Sequence, residues 1–204
     1  MPHPVITQNH IDKSLTYSQY KKLVSKLLTE NKTTGKDTPP EYLHFTGLNI
    51  QRSERIEKTI DLEPELINIL QSLAEPWYWL VITEGWCGDS SQILPVLAKM
   101  ADASPTIELC ILLRDENPEI MDAYLTDGTR SIPKLICLKQ DFTELGNWGP
   151  RPQPAQNMLH AHINNKQETK VEFQRKLHTW YAMDKSKTLQ HEFLKLIGEW
   201  QRKS

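Results

Sequence analysis

The feature that most constrains the fold of this chain is one continuous apolar stretch, Trp77–Thr83. A run of this kind, rich in β-branched and aromatic residues, is typical of a strand buried on both faces of a sheet. A glycine-containing turn follows at once, and apolar residues then recur at helical spacing from Ser91 to Met100, with Pro95 predicting a kink. The chain therefore contains a buried strand that a short turn joins to a helix.

The segments that follow extend this alternation of strands and helices. Ile107–Leu113 and Leu135–Leu138 are predicted strands, and Asn117 with the following proline starts a helix that ends near Leu125. Phe142–Leu145 is placed to pair antiparallel with the preceding strand across a short turn. The order predicts an α/β fold with a mixed central sheet, parallel in one half and antiparallel at one edge, flanked by helices.

Helical patterns also lie on both sides of this core. Thr16–Thr29 is amphipathic, and Pro64 suits the first turn of a helix that ends before Pro76. Glu41–Asp61 fits a strand or a helix equally well. Everything after Pro154 is predicted to be helical, with interruptions around Asn164-Asn165 and near Asp184. We expect one structural domain built of an N-terminal helical extension packed on the core (1–62), an α/β core (63–160) and a C-terminal helical extension (161–204).

Composition limits the classes of partner. The 204 residues include 24 basic and 26 acidic side chains that are interspersed, for a net charge of -2. Such a chain offers no general field for phosphate backbones or anionic lipids, so we expect no nucleic-acid and no membrane partner. The hydrophobic fraction of 38% is sufficient for a folded core.

Cysteine usage and the N-terminal residues bear on the compartment. Prolines and charged residues interrupt the first twenty positions, which therefore lack the apolar stretch of a signal peptide. The three cysteines, Cys87, Cys110 and Cys137, are an odd number without disulfide-framework or metal-finger spacing. We expect a cytoplasmic protein with no metal and no cofactor, in which at least one thiol stays unpaired.

The turn after the first predicted strand carries the residues Trp86-Cys87-Gly88-Asp89-Ser90. A cysteine on the first turn of a helix faces free backbone N–H groups and the positive end of the helix dipole, both of which favour the thiolate. Thiolate is the nucleophilic form. Cys87 is thus the candidate catalytic nucleophile, whereas Cys110 and Cys137 fall within strands, where buried packing is the default.

This turn resembles the active site of the thioredoxin family, whose motif is Trp-Cys-Gly-Pro-Cys. Pro95 falls where that family has a kinking proline, and Ser131-Ile132-Pro133 is similar to its Ile-cis-Pro element. Gly149 falls where the family has a glycine that borders the substrate groove. The resemblance covers Trp77–Gly149, with the flanking helices outside it.

The resemblance implies a set of roles around Cys87. A cis bond before Pro133 would leave the Ile132 backbone free to pair with an extended substrate segment. Trp86 would offer an apolar platform, with Gly88, Asp89 and Gly149 bordering the substrate.

Two departures from the family motif limit the chemistry. Ser90 replaces the cysteine that would resolve a mixed disulfide, so cycling through a Cys-x-x-Cys pair is excluded. Val81 stands where the family usually has a buried acid that serves that second cysteine. Ser90 retains two possible tasks, a hydrogen bond to the thiolate or a helix cap.

Two charged residues near the turn have open roles. Asp89 replaces the family's proline; its carboxylate raises the pKa of a nearby thiol, while the helix N-terminus stabilises the same carboxylate. The alternative for Asp89 is a helix N-cap. The loop Trp148–Pro152 resembles that of a bacterial thioredoxin-like subgroup with Cys-Gly-Asp at the site. In this loop Arg151 is placed to meet an anionic group on a substrate, or the loop is a stiff connector.

Three functions remain open from the sequence. The first is a monothiol thiol–disulfide oxidoreductase with protein thiols or disulfides, or glutathione, as partners and an external thiol to complete the cycle. The second is a redox-inactive module that keeps the binding groove. The third, on the likeness of Cys-Gly-Asp-Ser to Cys-Gly-Phe-Ser, is a glutaredoxin-like protein that binds glutathione and an iron–sulfur cluster. The chain is expected to be a monomer or a homodimer.

Overall fold

The computed structural model describes residues 5–36, 38–165 and 167–204. Positions 1–4 and 37 of the predicted N-terminal extension, and position 166 of the predicted C-terminal one, lie outside the described residues.

A mixed sheet with the strand order β2-β1-β3-β4 lies at the centre of the molecule. The apolar run Trp77–Thr83 is β1, an interior strand. It pairs in parallel with β2 (Ile107–Leu113) and antiparallel with β3 (Lys134–Lys139). The edge strand β4 (Glu144–Trp148) runs antiparallel to β3. These pairings confirm the predicted sheet, parallel in one half and antiparallel at the other edge.

Helices precede, connect and follow the strands. The ambiguous segment after Pro40 is a helix, and the C-terminal region is helical with breaks close to those predicted. The helices are α1 (Gln8–Asp12), α2 (Tyr17–Thr29), α3 (Glu41–Thr59), α4 (Pro64–Gln71), α5 (Gly88–Asp102), α6 (Pro118–Ala123), α7 (Gln153–Asn164), α8 (Lys170–Asp184) and α9 (Lys187–Gln201). Within the described ranges, no helix combines the length and the apolar character that crossing a membrane requires.

Local sequence explains where several of these helices begin. Thr16 accepts a hydrogen bond from the N–H of Gln19, whose side chain accepts one from the N–H of Thr16. Thr169 and Glu172 form the same reciprocal pair before α8. Each pair satisfies backbone donors that the first helical turn leaves free.

The sheet separates two hydrophobic clusters because successive side chains of a strand point to opposite faces. On β1, Trp77, Trp79 and Val81 belong to a large cluster with the flanking helices α2, α3, α4, α5, α8 and α9. Leu80 and Ile82 belong to a smaller cluster with α1 and α6. Cys87 is part of the smaller cluster. The larger cluster is the one that α2, α3 and α4 before the sheet, and α8 and α9 after it, complete.

The flanking helices surround the start of α5. The helix α3 packs along α5, α4 packs against α9, and α7 packs against α8. A buried glutamine of α9, Gln190, accepts a hydrogen bond from the N–H of Glu63 at 2.7 Å and donates one to the carbonyl of Asp61 at 3.2 Å. The last helix is thereby tied to the connection between α3 and α4.

Candidate active site

Cys87 lies at the end of the loop that follows β1, as the N-cap residue of α5. Its Sγ accepts a hydrogen bond from the N–H of Ser90 at 3.5 Å. The same thiol donates to the carbonyl oxygen of Ile132 at 3.3 Å. The structure therefore places the sulfur between the N-terminus of a helix and the loop that carries Pro133.

Burial decides the protonation state of this thiol. Cys87 is 8% exposed. The pKa of the Cys87 thiol is raised to about 11, chiefly by burial and also by the Asp89 carboxylate, although Ser90 and Arg151 lower it. A charged thiolate is disfavoured away from water, and here that cost exceeds the help from the helix N-terminus. At neutral pH the thiol form of Cys87 therefore predominates.

Ser90 fills the position of the missing second cysteine with a buried hydroxyl. Its Oγ accepts a hydrogen bond from Thr83 Oγ1 at 2.7 Å, while its N–H binds the Cys87 sulfur. Val81 lies on β1, fully buried among apolar neighbours. A hydroxyl at position 90 and an alkyl group at position 81 thus stand where the family pattern has a thiol and an acid.

Asp89 belongs to a buried charged network on the other side of the turn. Its Oδ2 lies 2.6 Å from Nη2 of Arg151, and its Oδ1 accepts a hydrogen bond from the hydroxyl of Tyr181 at 2.8 Å. Burial raises the pKa of Asp89, and the charge of Arg151 opposes that rise. The Arg151 guanidinium, which the sequence placed near an anionic group of a substrate, is thus paired with Asp89. The alternative of Asp89 as the N-cap of α5 is wrong, because Cys87 is the N-cap.

The loops opposite the cysteine contact each other closely. The bonds Ile132–Pro133 and Gly149–Pro150 are both cis. Gly149 has a φ of +123°, and a Cβ at this position would overlap the carbonyl oxygen of Pro133. A side chain is therefore incompatible with both the backbone conformation and the space at Gly149. The glycine lets the loop of Arg151 approach the loop of Pro133.

Trp86 forms an aromatic wall beside Cys87. Its ring lies 4.5 Å from the ring of Tyr42, measured between centroids. The Arg114 guanidinium lies 4.8 Å from the Trp86 ring centroid, within the range of a cation–π contact. The predicted platform is thus packed between an aromatic ring of α3 and an arginine that follows β2.

The other two cysteines are buried in strands, as the sequence predicted. Cys110 is 1% exposed on β2, and Cys137 is fully buried on β3. All three cysteines are free thiols. Burial raises the pKa of Cys110 to about 11 and that of Cys137 further still. Among the described residues, no three His, Cys, Asp or Glu side chains are grouped so as to hold a metal ion.

Sequence reasoning missed two contributions from the flanking helices. Tyr181 of α8 reaches Asp89, and Arg52 of α3 lies beside Gly88. Tyr181 carried a signal, since it belongs to an apolar pattern that requires a packing partner. That pattern names no partner, because the spacing of one helix does not specify which surface it covers.

Two solved structures share this architecture over nearly their whole length. The crystal structure of an HIV epitope scaffold matches with a TM-score of 0.57 and 18% identity, over 94% of this chain and 96% of that chain. A protein of unknown function from Pseudomonas aeruginosa matches with a TM-score of 0.55 and 19% identity, over 90% of this chain and 98% of that one. At these identities the likeness concerns the fold alone.

A family model described as thioredoxin matches residues 36–185. Since this match covers most of the chain, the protein belongs to the thioredoxin family. The match reaches well beyond Trp77–Gly149, so the flanking helices α3, α4, α7 and α8 are part of the family pattern rather than outside it. No curated protein gives a significant match to the sequence.

Proposed function

We propose that this chain is a monothiol thiol–disulfide oxidoreductase whose nucleophile is Cys87. The observation that carries the proposal is the position of the sulfur, 3.5 Å from the N–H of Ser90 at a helix N-terminus and 3.3 Å from the carbonyl of Ile132. A helix N-terminus stabilises a thiolate, and the loop opposite offers backbone groups to a substrate. Trp86 and Gly88 border the same groove.

The first step is attack on a disulfide. The Cys87 proton passes to solvent, and the thiolate attacks one sulfur of a substrate disulfide. A new S–S bond forms to Cys87 while the old one breaks, and the second sulfur leaves with the electron pair as a thiolate that takes up a proton. The Cys87 sulfur is oxidised and the leaving sulfur is reduced.

The second step requires a thiol from outside the chain. Ser90 has no sulfur, and Cys110 and Cys137 lie within the strands. Glutathione or a partner thiol, as thiolate, attacks the substrate sulfur of the mixed disulfide. A disulfide between those two groups leaves, and Cys87 recovers its thiolate.

Deprotonation of Cys87 weakens the contact of its sulfur with the Ile132 carbonyl and strengthens the contact with the Ser90 N–H. The thiol donates to the Ile132 carbonyl, but a thiolate has no proton to donate and is repelled by that oxygen. The Ser90 N–H, by contrast, binds a thiolate more strongly than a thiol because the acceptor is then charged. We expect the thiolate to lie closer to Ser90, which frees the Ile132 carbonyl for a substrate backbone.

Mixed-disulfide formation tests this function. The reduced protein is incubated with glutathione disulfide, and intact mass reports the adduct. We expect an adduct on the wild type and on the matched control Cys110→Ser, none on Cys87→Ser, and release by added thiol. An adduct that persists in Cys87→Ser would refute the assignment of the nucleophile.

A second variant tests the one-thiol character of the site. Ser90→Cys places a thiol where the family has its resolving cysteine. We expect this variant to release the glutathione adduct by forming an internal disulfide, so that the adduct no longer accumulates. Persistence of the adduct at the wild-type level would show that position 90 does not face the mixed disulfide.

The raised pKa of Cys87 favours a second candidate, a thioredoxin-fold module that binds a partner in this groove without exchange. The pH dependence of alkylation at Cys87 distinguishes the two. For the oxidoreductase we expect the iodoacetamide rate to rise about tenfold per pH unit from neutral pH towards a pKa near 11. Cys87 unreactive throughout this range, with retained partner binding, would favour the module.

A further inference from the structure

A cleft lies between α3 and α8, directly beside the turn that carries Cys87. Its volume is about 600 Å³, and its lining includes Arg52, Arg175 and Gly88. It adjoins a smaller cavity of about 280 Å³ that includes Cys87 and Lys170, since both are lined by Trp86 and Gly88. We call the larger space the α3–α8 cleft. Its size is that of a small-molecule or side-chain binding site.

The two arginines of the cleft and Lys170 of the adjoining cavity lack carboxylate partners. Within the described ranges, Arg52, Arg175 and Lys170 have no Asp or Glu oxygen within 4.0 Å. Among the residues that line the two spaces, the acidic side chain is Asp89, which Arg151 neutralises. Positive side chains therefore outnumber negative ones next to the nucleophile.

The acidic residues of α8 and of the loop before it are engaged elsewhere. Glu172 accepts hydrogen bonds from the N–H and the hydroxyl of Thr169 at the start of the helix. Glu168 pairs with Lys176 and His162. Neither carboxylate lines the cleft, so neither cancels its charge.

The ionisation of the cleft residues reflects this excess of positive charge. Burial lowers the pKa of Arg52 and the nearby Arg55 lowers it further, whereas the Asp89 carboxylate raises it. Burial lowers the pKa of His178 to about 4, and the two arginines add to that effect. At neutral pH, His178 is uncharged and Arg52 is held by a 2.8 Å bond from its Nη1 to Asn49. A bound anion would offset the repulsion between the arginines.

One of these cations, Arg52, lies close to the turn that carries the nucleophile. A Cβ built on Gly88, the residue after Cys87, would lie 3.8 Å from Nη1 of Arg52 and 3.1 Å from Nε2 of His178. Arg52 and His178 therefore lie beside the residue that follows Cys87, where the cleft meets the cavity that contains the thiol. Guanidinium groups bind carboxylates and phosphates through paired hydrogen bonds.

We propose that the α3–α8 cleft binds an acidic group of the substrate, so that Cys87 exchanges with anionic thiols and disulfides. This inference rests on the proposed function for its exchange step. The shared chemistry is a carboxylate close to the reacting sulfur, whether on a small acidic thiol or on an acidic peptide segment. The anion contact that sequence reasoning assigned to Arg151 thereby passes to Arg52, Arg175 and Lys170.

The first test compares disulfides of similar size and different charge. The probes are 3,3'-dithiodipropionate (acidic), 2-hydroxyethyl disulfide (neutral) and cystamine (basic), with mixed-disulfide formation followed by intact mass. The variant is Lys170→Gln with Arg175→Gln, and the matched control is Lys58→Gln with Lys187→Gln, which removes the same charge from exposed sites outside the cleft. For each probe, the rate with the wild type is divided by the rate with the variant. This ratio does not depend on the intrinsic reactivity of the probe.

We expect a ratio of about ten for the acidic probe, near one for the neutral probe and below one for the basic probe. The acidic ratio should fall towards one at about 0.5 M salt, because salt screens exposed charges. The control variant should match the wild type. Equal ratios for all three probes would overturn the anion site while leaving the exchange function intact. An acidic peptide disulfide run beside the small probe distinguishes the two sources.

The second test needs no thiol chemistry. In Cys87→Ser, nuclear magnetic resonance follows the His178 ring during a pH titration with and without ethane-1,2-disulfonate, which stays anionic around the His178 pKa of about 4, and His178→Gln assigns the signal. An anion beside Arg52 stabilises the imidazolium, so the disulfonate should raise the pKa of His178. An unchanged titration would refute the site. A raised pKa in a protein whose wild type exchanges with no probe would retain the anion site and refute the exchange function.

Discussion

The pocket around Cys87 and the α3–α8 cleft adjoin each other but differ in how their charged side chains are arranged: buried and paired in the pocket, exposed and unpaired in the cleft. In the pocket, Asp89 is buried and paired with Arg151 at 2.6 Å. Arg175 in the cleft and Lys170 in the adjoining cavity are exposed and have no carboxylate partner among the described residues. A buried charge needs a partner because desolvation is costly, whereas an exposed cation remains solvated alone. The buried pair therefore fixes the turn, and the exposed cations stay available to a ligand.

The comparison predicts its largest effect at Arg151. Arg151→Met keeps much of the side-chain volume but leaves Asp89 as an unpaired buried carboxylate, so we expect a loss of about 3–5 kcal/mol in the free energy of unfolding. Urea denaturation measures it. The double variant Asp89→Asn with Arg151→Met removes both charges and should lose clearly less. Equal losses in the single and double variants would show that the charge pair is not the source.

A smaller loss is expected at Tyr181. Tyr181→Phe removes the hydroxyl that donates to Asp89 at 2.8 Å, and bonds to a charged, buried acceptor contribute about 1.5–3 kcal/mol. The control is Tyr124→Phe, which removes an exposed bond of 2.9 Å to Glu144. Urea denaturation of both variants should show the greater loss at Tyr181, and a greater loss at Tyr124 would contradict the buried network.

The third effect concerns reactivity. The Asp89 carboxylate raises the pKa of Cys87, so Asp89→Asn should lower that pKa and increase the thiolate fraction at neutral pH. We expect about a tenfold faster reaction of Cys87 with iodoacetamide at pH 7, for a shift of about one pKa unit. Peptide mass spectrometry separates Cys87 from the other thiols. Asp122→Asn, an exposed change of equal charge, should leave the rate unchanged, and a similar acceleration there would indicate a nonspecific effect.

The smallest effect on stability is expected in the cleft. Lys170→Gln with Arg175→Gln changes exposed, unpaired side chains, so the free energy of unfolding should move by less than about 0.5 kcal/mol. Thermal and urea unfolding of this variant beside Arg151→Met test the contrast directly. A loss of several kcal/mol in the free energy of unfolding would mean that these cations stabilise the fold and are not free to bind a ligand.

Much of the core fold could be predicted from local patterns. The apolar run Trp77–Thr83 specified an interior strand, and Pro64 and Pro118 marked helix starts. Such signals work because strand burial and helix initiation depend on residues close in the chain. The segment Glu41–Thr59 could not be assigned, since its partly apolar pattern becomes a helix only by packing against α5 and α2.

The candidate site likewise has features that the local sequence determines and features that only long-range contacts determine. By itself, the sequence determined that Cys87 follows a strand and starts a helix, and that no second sulfur stands at position 90. These are properties of residue identity and order. Only the tertiary structure decided the electrostatics: that burial raises the pKa of Cys87, that Arg151 is taken by Asp89, and that Arg52 of α3 and Arg175 of α8 lie beside the same turn. Desolvation and pairing depend on which distant side chains meet, and no local pattern contains that information.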